Sequence, residues 1–419
     1  MKEYLAKKYI FAAIFIVALY AVSISNFIFS FDTLKTDMKA AKENVKTGTI
    51  DEALDSANMV IDTLDTSINS NVEHKFKYVE LYGLYNKVLG KYEHNGFGVI
   101  KDKNGNLFNG NVWSFNLINE APVEQFARRV YKMNEKFNGT DTKLYVLSMP
   151  VRTSKTDVDV QPGAFIQDYS SVADSYLYYC DSFNLECIDF RKAMKLSGKE
   201  YDELFFKTDH HWTPQAAFES FKYLVEQLKT DGYDLDPTGQ YTDINNYTIE
   251  NFEECWLGTH AIKTGVSYID KLESITILSP KYETDFQYKY KYENSSYINE
   301  LNGSFDGTLL RREYIYMQQN NNLYEGSAYS AYLNGVCEHD WIVNKNNPNG
   351  PKVLFIRDSY SSPLGAFLAN VCSEVEMVWA KEYKGSIEEL VENGDYDFVF
   401  VATWPENLGE DSFNFYLED

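Results

Sequence analysis

Two short stretches of the 419-residue sequence carry residue types that could do acyl chemistry together. The first, KTDHHWTPQ, places Asp209 two positions before His211, with His210 between them. A carboxylate beside an imidazole fixes its tautomer and stabilises the imidazolium that forms when the ring takes a proton. The second, VLFIRDSYSSP, ends an apolar run on Arg357, Asp358 and Ser359. A serine becomes a nucleophile when an imidazole lies within hydrogen-bond reach. Each stretch alone has a plainer reading, Asp209 as a helix cap beside packed histidines and Ser359 as a turn serine. Together they make an Asp–His–Ser set in the chain order Asp209, His211, Ser359. No G-x-S-x-G elbow is present, which speaks against the ordinary α/β-hydrolase fold. A metal phosphoesterase built on Asp-His-His would need more ligands, and none of the other four histidines sits in a ligand-like cluster. No metal is therefore expected, and with no Gly-rich phosphate loop no cofactor is expected either.

The elements around these residues must position them. Thr213 reads as an N-cap and Pro214 as a first helical residue, so a helix should run to about Leu228. Asp209–His211 then occupies extended chain, in which side chains alternate, so that Asp209 and His211 share one side and His210 faces elsewhere. Val353–Asp358 reads as a buried strand, and Ser362-Pro363 restarts the chain as a helix. Ser359 thus lies near a helix N-terminus, where backbone N–H groups can stabilise an oxyanion. Other apolar strands are expected at Lys143–Pro150, Glu186–Phe190, Val375–Trp379 and Asp397–Ala402. Helices are expected at Glu120–Phe137, Val172–Phe183, Pro363–Cys372 and Ser386–Val391. This alternation predicts an α/β fold with a parallel sheet covered on both faces and a site at the carboxyl ends of its strands. A hairpin turning at Asn104-Gly105 precedes it. Residues 230–349, rich in Tyr, Asn and Gly, read as a β-rich insertion. Its tyrosines are expected to pack and hydrogen-bond at one end more than to stack on sugars.

TDHHWTP and VLFIRDSYSSPLGAFL, with WLGTHAIKTG and SPKYETDF between them and NGNLF in the hairpin before them, resemble the DHHW protein family. That family is similar to the alginate O-acetyltransferase group of SGNH-like enzymes. The resemblance covers roughly 96–408 and implies an SGNH-hydrolase-like fold whose acid–base block precedes the nucleophile block, the reverse of ordinary GDS esterases. It puts Asp209, His211 and Ser359 in the places of the family's Asp, His and Ser. His210 fills the middle of the D-x-H motif, and Arg357 stands where GDS blocks carry glycine. Arg152, Gly258, Tyr360 and Asn407 are further candidates for oxyanion or substrate contacts. The implied function is a serine acyltransferase that moves acetyl groups from a donor onto a cell-surface polysaccharide. Attack by water instead would make it a carbohydrate acetyl esterase. A reading from another class is a non-catalytic surface protein that binds glycan through the Tyr-rich insertion. Analogy with the alginate system adds a membrane protein that exports the acetyl donor.

Composition and charge bound these readings. With 44% hydrophobic residues, 33 Tyr and 27 Phe, the chain can bury a large core. Its formal net charge of −23 would repel phosphate backbones, so nucleic acid is not an expected partner. Five cysteines without a C-x-x-C pair exclude a zinc module and a disulfide-built scaffold. Tyr9–Phe31 is a 23-residue run without charge behind Lys2, Lys7 and Lys8. At about 34 Å as a helix it can span a bilayer. The lysines favour an inside N-terminus, a single pass and a large extracytoplasmic region at the cell membrane. A cleaved signal peptide is the competing reading, but its apolar part would be shorter. The expected division is therefore a signal-anchor at 1–31, a helical stalk at 32–95 and the catalytic domain at 96–419. In the stalk, Leu54, Ala57, Ile61, Leu64 and Ile68 keep heptad spacing. That seam is read as the packed face of an amphipathic helix, with a dimerising coiled coil as the alternative.

Overall fold

The computed structural model of the chain describes residues 2–110, 120–152, 159–162, 168–293, 295–320, 322–408, 413 and 415–416. It comprises two compact units, Met1–Leu81 and Tyr82–Asp419.

The first unit is a helical hairpin. Helix α1 (Lys2–Glu43) runs unbroken through the apolar segment, with neither glycine nor proline to stop it at Phe31. Its apolar window is wholly exposed. Helix α2 (Ile50–Ser70) starts from a capping box in which Thr49 accepts from the Glu52 N–H and Glu52 accepts from the Thr49 N–H. It runs back along α1. Ser56 Oγ bonds both the N–H and the carbonyl of Lys46, while Glu73 takes a hydrogen bond from Ser25 Oγ at 2.6 Å and donates its N–H to Asn26. The heptad seam does not make this contact. Leu54, Ile61, Leu64 and Ile68 stay exposed, and Ser56 and Ser67 are the buried positions. Small polar residues let two helices approach closely, which leaves the larger apolar side chains outside.

In the second unit, an eight-stranded sheet has the order Glu186–Asp189, Lys143–Ser148, Phe398–Thr403, Lys352–Arg357, Glu374–Trp379, His339–Asn344, Phe286–Lys291, Asn299–Gly303. The first five strands are mutually parallel and the rest antiparallel. Side-chain alternation divides the core in two. Leu144, Val146, Leu354, Ile356, Val399 and Val401 bury against the helices Glu120–Glu135 and Tyr169–Ser182. Tyr145, Leu147, Val353, Phe355, Phe398 and Phe400 bury against Pro214–Thr230 and Ser362–Leu368. Each such side chain stabilises the fold by about 1.5–3 kcal/mol when fully buried. This is why the central strands read as continuous apolar runs.

Residues 230–349 do supply strands, but three of these extend the main sheet instead of forming a separate body. The strands Tyr247–Trp256 and Glu273–Pro280 pair with each other apart from it. Tyr247, Tyr268, Tyr288, Tyr290, Tyr329 and Tyr332 of this segment are buried, whereas Tyr297 and Tyr316 are exposed. Tyr288 donates to Leu333 O and Asp340, and Tyr332 bonds the N–H and carbonyl of Leu278. The hairpin turns where expected, with Gly105 at φ +85°, a conformation that costs a residue with a Cβ more. Asp102 Oδ1 accepts from the N–H groups of Asn104 and Asn106 across the turn.

Candidate active site

Three neighbouring parallel strands end in register. Ser148 pairs with Thr403, and Ile356 with Val401. The segments leaving their carboxyl ends carry Arg152, Trp404 to Asn407, and Asp358 to Ser359, so one edge of the sheet gathers all of them. Ser359 opens a 3-10 turn, Ser359–Ser361, that leads into the helix Ser362–Leu368. Here Ser361 is the N-cap and Ser362 already helical, one residue earlier than the proline logic placed them. Asp358 holds this turn from below. Its Oδ1 accepts from the Tyr360 N–H at 3.0 Å, and its Oδ2 accepts from the Trp404 N–H at 2.7 Å and from Asn407 Nδ2 at 3.1 Å. Burial pushes the Asp358 carboxyl up, against the pull of those donors. Among the described residues the Ser359 N–H has no acceptor.

The acid–base stretch reaches the same place from the start of the Pro214–Thr230 helix. Thr213 caps that helix by accepting from the Ala216 N–H, as the sequence indicates. His211 Nε2 lies 3.1 Å from Ser359 Oγ, and His211 Nδ1 lies 2.7 Å from Asp209 Oδ1. Asp209, His211 and Ser359 are therefore brought together, but not by an extended chain. Residues 207–211 form a series of bends. The Asp209 carboxylate accepts the backbone N–H of His211 at 2.9 Å as well as its ring, a local bracket that extended chain cannot form. Nor does His210 point away. Its ring lies against that of His211 with centroids 3.8 Å apart, and its other side faces Trp404.

Asp209 is fully enclosed. Its Oδ2 accepts from both the N–H and the hydroxyl of Thr259, at 2.8 and 2.7 Å. Burial would raise its carboxyl, but the two imidazoles and these hydrogen bonds outweigh that and hold it well below the usual range. His210 is held down to about 3, first by burial and then by its neighbour His211. A carboxylate that stays charged beside an imidazole is what a proton-accepting histidine needs.

The other candidates occupy supporting positions. Gly258 lets the Thr259–Thr264 helix approach the acid–base stretch, since a Cβ there would come within 2.4 Å of Thr208 O. Arg152 is buried and directs its guanidinium at three backbone carbonyls, those of Leu107, Lys207 and Asp209. It thereby ties the NGNLF hairpin to the acid–base stretch. Tyr360 is fully buried, and its carbonyl accepts from Trp212 Nε1 and Tyr329 OH. Asn407 grips Asp358 beside the nucleophile turn. Arg357, in the glycine position of GDS blocks, turns away into the sheet and pairs with Asp340 at 2.5 Å, both fully buried.

Three residues of the site were not singled out in the sequence. Thr259 lies inside WLGTHAIKTG, whose glycine was the visible signal. Trp404 follows the last central strand directly. Tyr329 stacks on the His211 ring, 4.0 Å between centroids, and nothing in its Tyr-rich surroundings distinguishes it. Asp209, His210 and His211 have ligand-type atoms within 4.8 Å of one another. A metal there would have to break the Asp209–His211 hydrogen bond.

Residues 99–251 match the family model of the SGNH hydrolase-like domain of the acetyltransferase AlgX. A DHHW family protein from Eubacterium siraeum DSM 15702 superposes with a TM-score of 0.53 at 16% identity, over 75% of this chain and 95% of that one. PatB1 of Bacillus cereus, solved with a sulfonyl adduct, superposes with a TM-score of 0.60 at 17% identity, over 76% of this chain and 97% of that one. No curated protein sequence matches. The resemblance to DHHW and AlgX-type proteins thus extends to the fold, which is SGNH-like α/β.

Proposed function

We propose that the protein is a membrane-anchored, extracytoplasmic serine O-acetyltransferase acting on a cell-surface polysaccharide. The observation that carries this reading is the continuous relay from Asp209 through His211 to Ser359 at the carboxyl edge of the sheet. The match of residues 99–251 to an acetyltransferase domain model supports acetyl as the transferred group. Ser359 Oγ attacks the acetyl carbonyl of the donor while His211 Nε2 takes its proton. The developing oxyanion is received by the Ser359 N–H. His211 passes the proton to the departing donor, leaving an acetyl ester on Ser359. A sugar hydroxyl then gives its proton to His211 and attacks that ester, and His211 returns the proton to Ser359 Oγ as it departs, leaving the sugar acetylated and the serine free. Asp209 orients the ring and stabilises its charged form throughout. Helix α1 is the retained anchor, and a membrane protein exporting the acetyl donor is the expected partner.

The test uses the full chain with an activated acetyl ester and the surface glycan of its own cell. Mass spectrometry should find an acetyl group on Ser359 that disappears when glycan is added and reappears on the sugar. Acetate release unaffected by glycan would make the protein an esterase. Absence of any adduct, with Ser359 also unreactive toward a sulfonyl fluoride, would remove the covalent mechanism.

A further inference from the structure

Tyr329 brings a ring from the Tyr-rich segment against the relay. It sits in the 3-10 turn Ala328–Ala331, which the Arg311 N–H fixes by donating to the Ala331 carbonyl. Its ring stacks on that of His211, with centroids 4.0 Å and planes 17° apart. His210 lies against the same imidazole at 3.8 Å. No ring contact joins His210 to Tyr329 among the described residues, so the two cover opposite faces of His211. With Nδ1 held by Asp209 as well, the imidazole has little freedom to turn.

A buried tyrosine is most often a packing residue whose hydroxyl finds any convenient acceptor. Here the acceptor is specific. Tyr329 OH donates to the carbonyl of Tyr360 at 2.8 Å. Trp212 Nε1 donates to that same carbonyl at 2.9 Å and to Tyr329 OH at 3.1 Å. The three groups close a triangle of hydrogen bonds, and all three residues are buried. Trp212 directly follows the base, and Tyr360 directly follows the nucleophile. The triangle therefore joins the backbone that carries His211 to the backbone that carries Ser359. Burial pushes the Tyr329 phenol well above its ordinary value, so its hydroxyl stays protonated and keeps donating. The bond from His211 to Ser359 cannot serve as this tether, because each proton transfer breaks and remakes it.

We propose that Tyr329 is a positioning residue of the acyl-transfer site. Its ring sets the plane of His211, and its hydroxyl, with the Trp212 indole, holds the Ser359 turn at the distance that plane requires. This rests on His211 being the base for Ser359. The same ring face favours the imidazolium formed when Ser359 gives up its proton, since a cation is attracted to an aromatic π face. The Tyr-rich segment thus serves the reaction by bracing the base.

The experiment uses the full chain and four variants: Tyr329→Leu, Tyr329→Phe, Trp212→Phe and the double Phe variant. Two quantities are read, the rate at which phenylmethylsulfonyl fluoride labels Ser359 and the kcat and KM for an activated acetyl ester. Tyr329→Leu should lower labelling and kcat on the order of 100-fold, with KM within about twofold. Tyr329→Phe keeps the ring and should recover most of that loss, because Trp212 still holds the Tyr360 carbonyl. The double Phe variant leaves that carbonyl buried and unpaired, and should lose more than the product of its two single losses. Equal losses for Tyr329→Leu and Tyr329→Phe, or a loss confined to KM, overturn the inference. If circular dichroism shows Tyr329→Leu unfolded, the double variant decides, and a simple product of the singles overturns it. An unaltered chain that is labelled but turns over no acetyl ester refutes acetyl transfer, and the labelling rates alone then test the positioning role. An unaltered chain whose Ser359 is not labelled removes the relay and this inference with it.

Discussion

Ser359 is half-buried, and among the described residues its hydroxyl is bonded only to His211, so it contributes little packing. Ser359→Ala should therefore lower acetyl-ester turnover by several powers of ten while leaving the melting temperature nearly unchanged. Full retained activity would end the covalent reading. His211→Ala should be as inactive. His210→Ala should lose on the order of tenfold, because its ring fixes the orientation of His211 without touching the serine. Equal losses for the two variants, both folded, would place His210 in the proton path. The buried histidines also set a pH dependence of stability. His210 is held to about 3 and His260 well below its usual value, in each case by burial first. Between about 6.5 and 3 the unfolded chain binds protons that the folded chain refuses, so these residues' contribution is full above 6.5 and is lost as pH falls. The ceiling is about 1.4 kcal/mol per pH unit for each histidine. His210 should fall short of it, since its side chain is 23% exposed. Urea midpoints measured from pH 7 to 4 should fall less steeply for His210→Gln than for the unaltered protein, and parallel curves would refute this.

Among the elements, the contact between the Thr259–Thr264 helix and the acid–base stretch depends on the absence of one methyl group. Gly258→Ala should cost about 1–3 kcal/mol by overpacking and reduce turnover further by displacing Asp209, as denaturation and activity measured on one preparation would report. Unchanged values for both would mean that the helix shifts freely. Under the nucleophile turn, Arg357 and Asp340 form a buried ion pair that ties the Lys352–Arg357 strand to the antiparallel half of the sheet. Arg357→Met alone should destabilise the fold by about 3–5 kcal/mol by leaving Asp340 unpaired. Adding Asp340→Asn should recover part of that loss. A double variant weaker than the single one would show that the pair has a separate structural role.

For the whole molecule, the prediction concerns location. The chain should fractionate with membranes, and protease added outside intact cells should cleave off most of its mass. Recovery in the cytosol would remove both the topology and access to a surface polysaccharide. A released form lacking its first residues would indicate a cleaved signal sequence.

Much of this protein was legible without its fold. The α/β class, the strand at Val353–Asp358 and the Thr213 cap follow from local rules, in which period, cap and proline act over a few residues, while the pairing of D-x-H with D-S was expected from residue type and family resemblance. The same holds for the uncharged run of α1. Tertiary structure decided what depends on distant neighbours. It put Arg152 on backbone carbonyls, turned Arg357 toward Asp340, stacked Tyr329 on His211 and gave the second carboxylate oxygen of Asp209 to Thr259. It also replaced the expected extended chain at Asp209–His211 with bends, and joined the strands of the Tyr-rich segment to the main sheet. Backbone period is a property of adjacent residues, so a sequence displays it. The partner of a buried polar side chain is chosen by whichever donors the folded sheet brings within reach, often more than fifty residues away, and no local pattern records that choice.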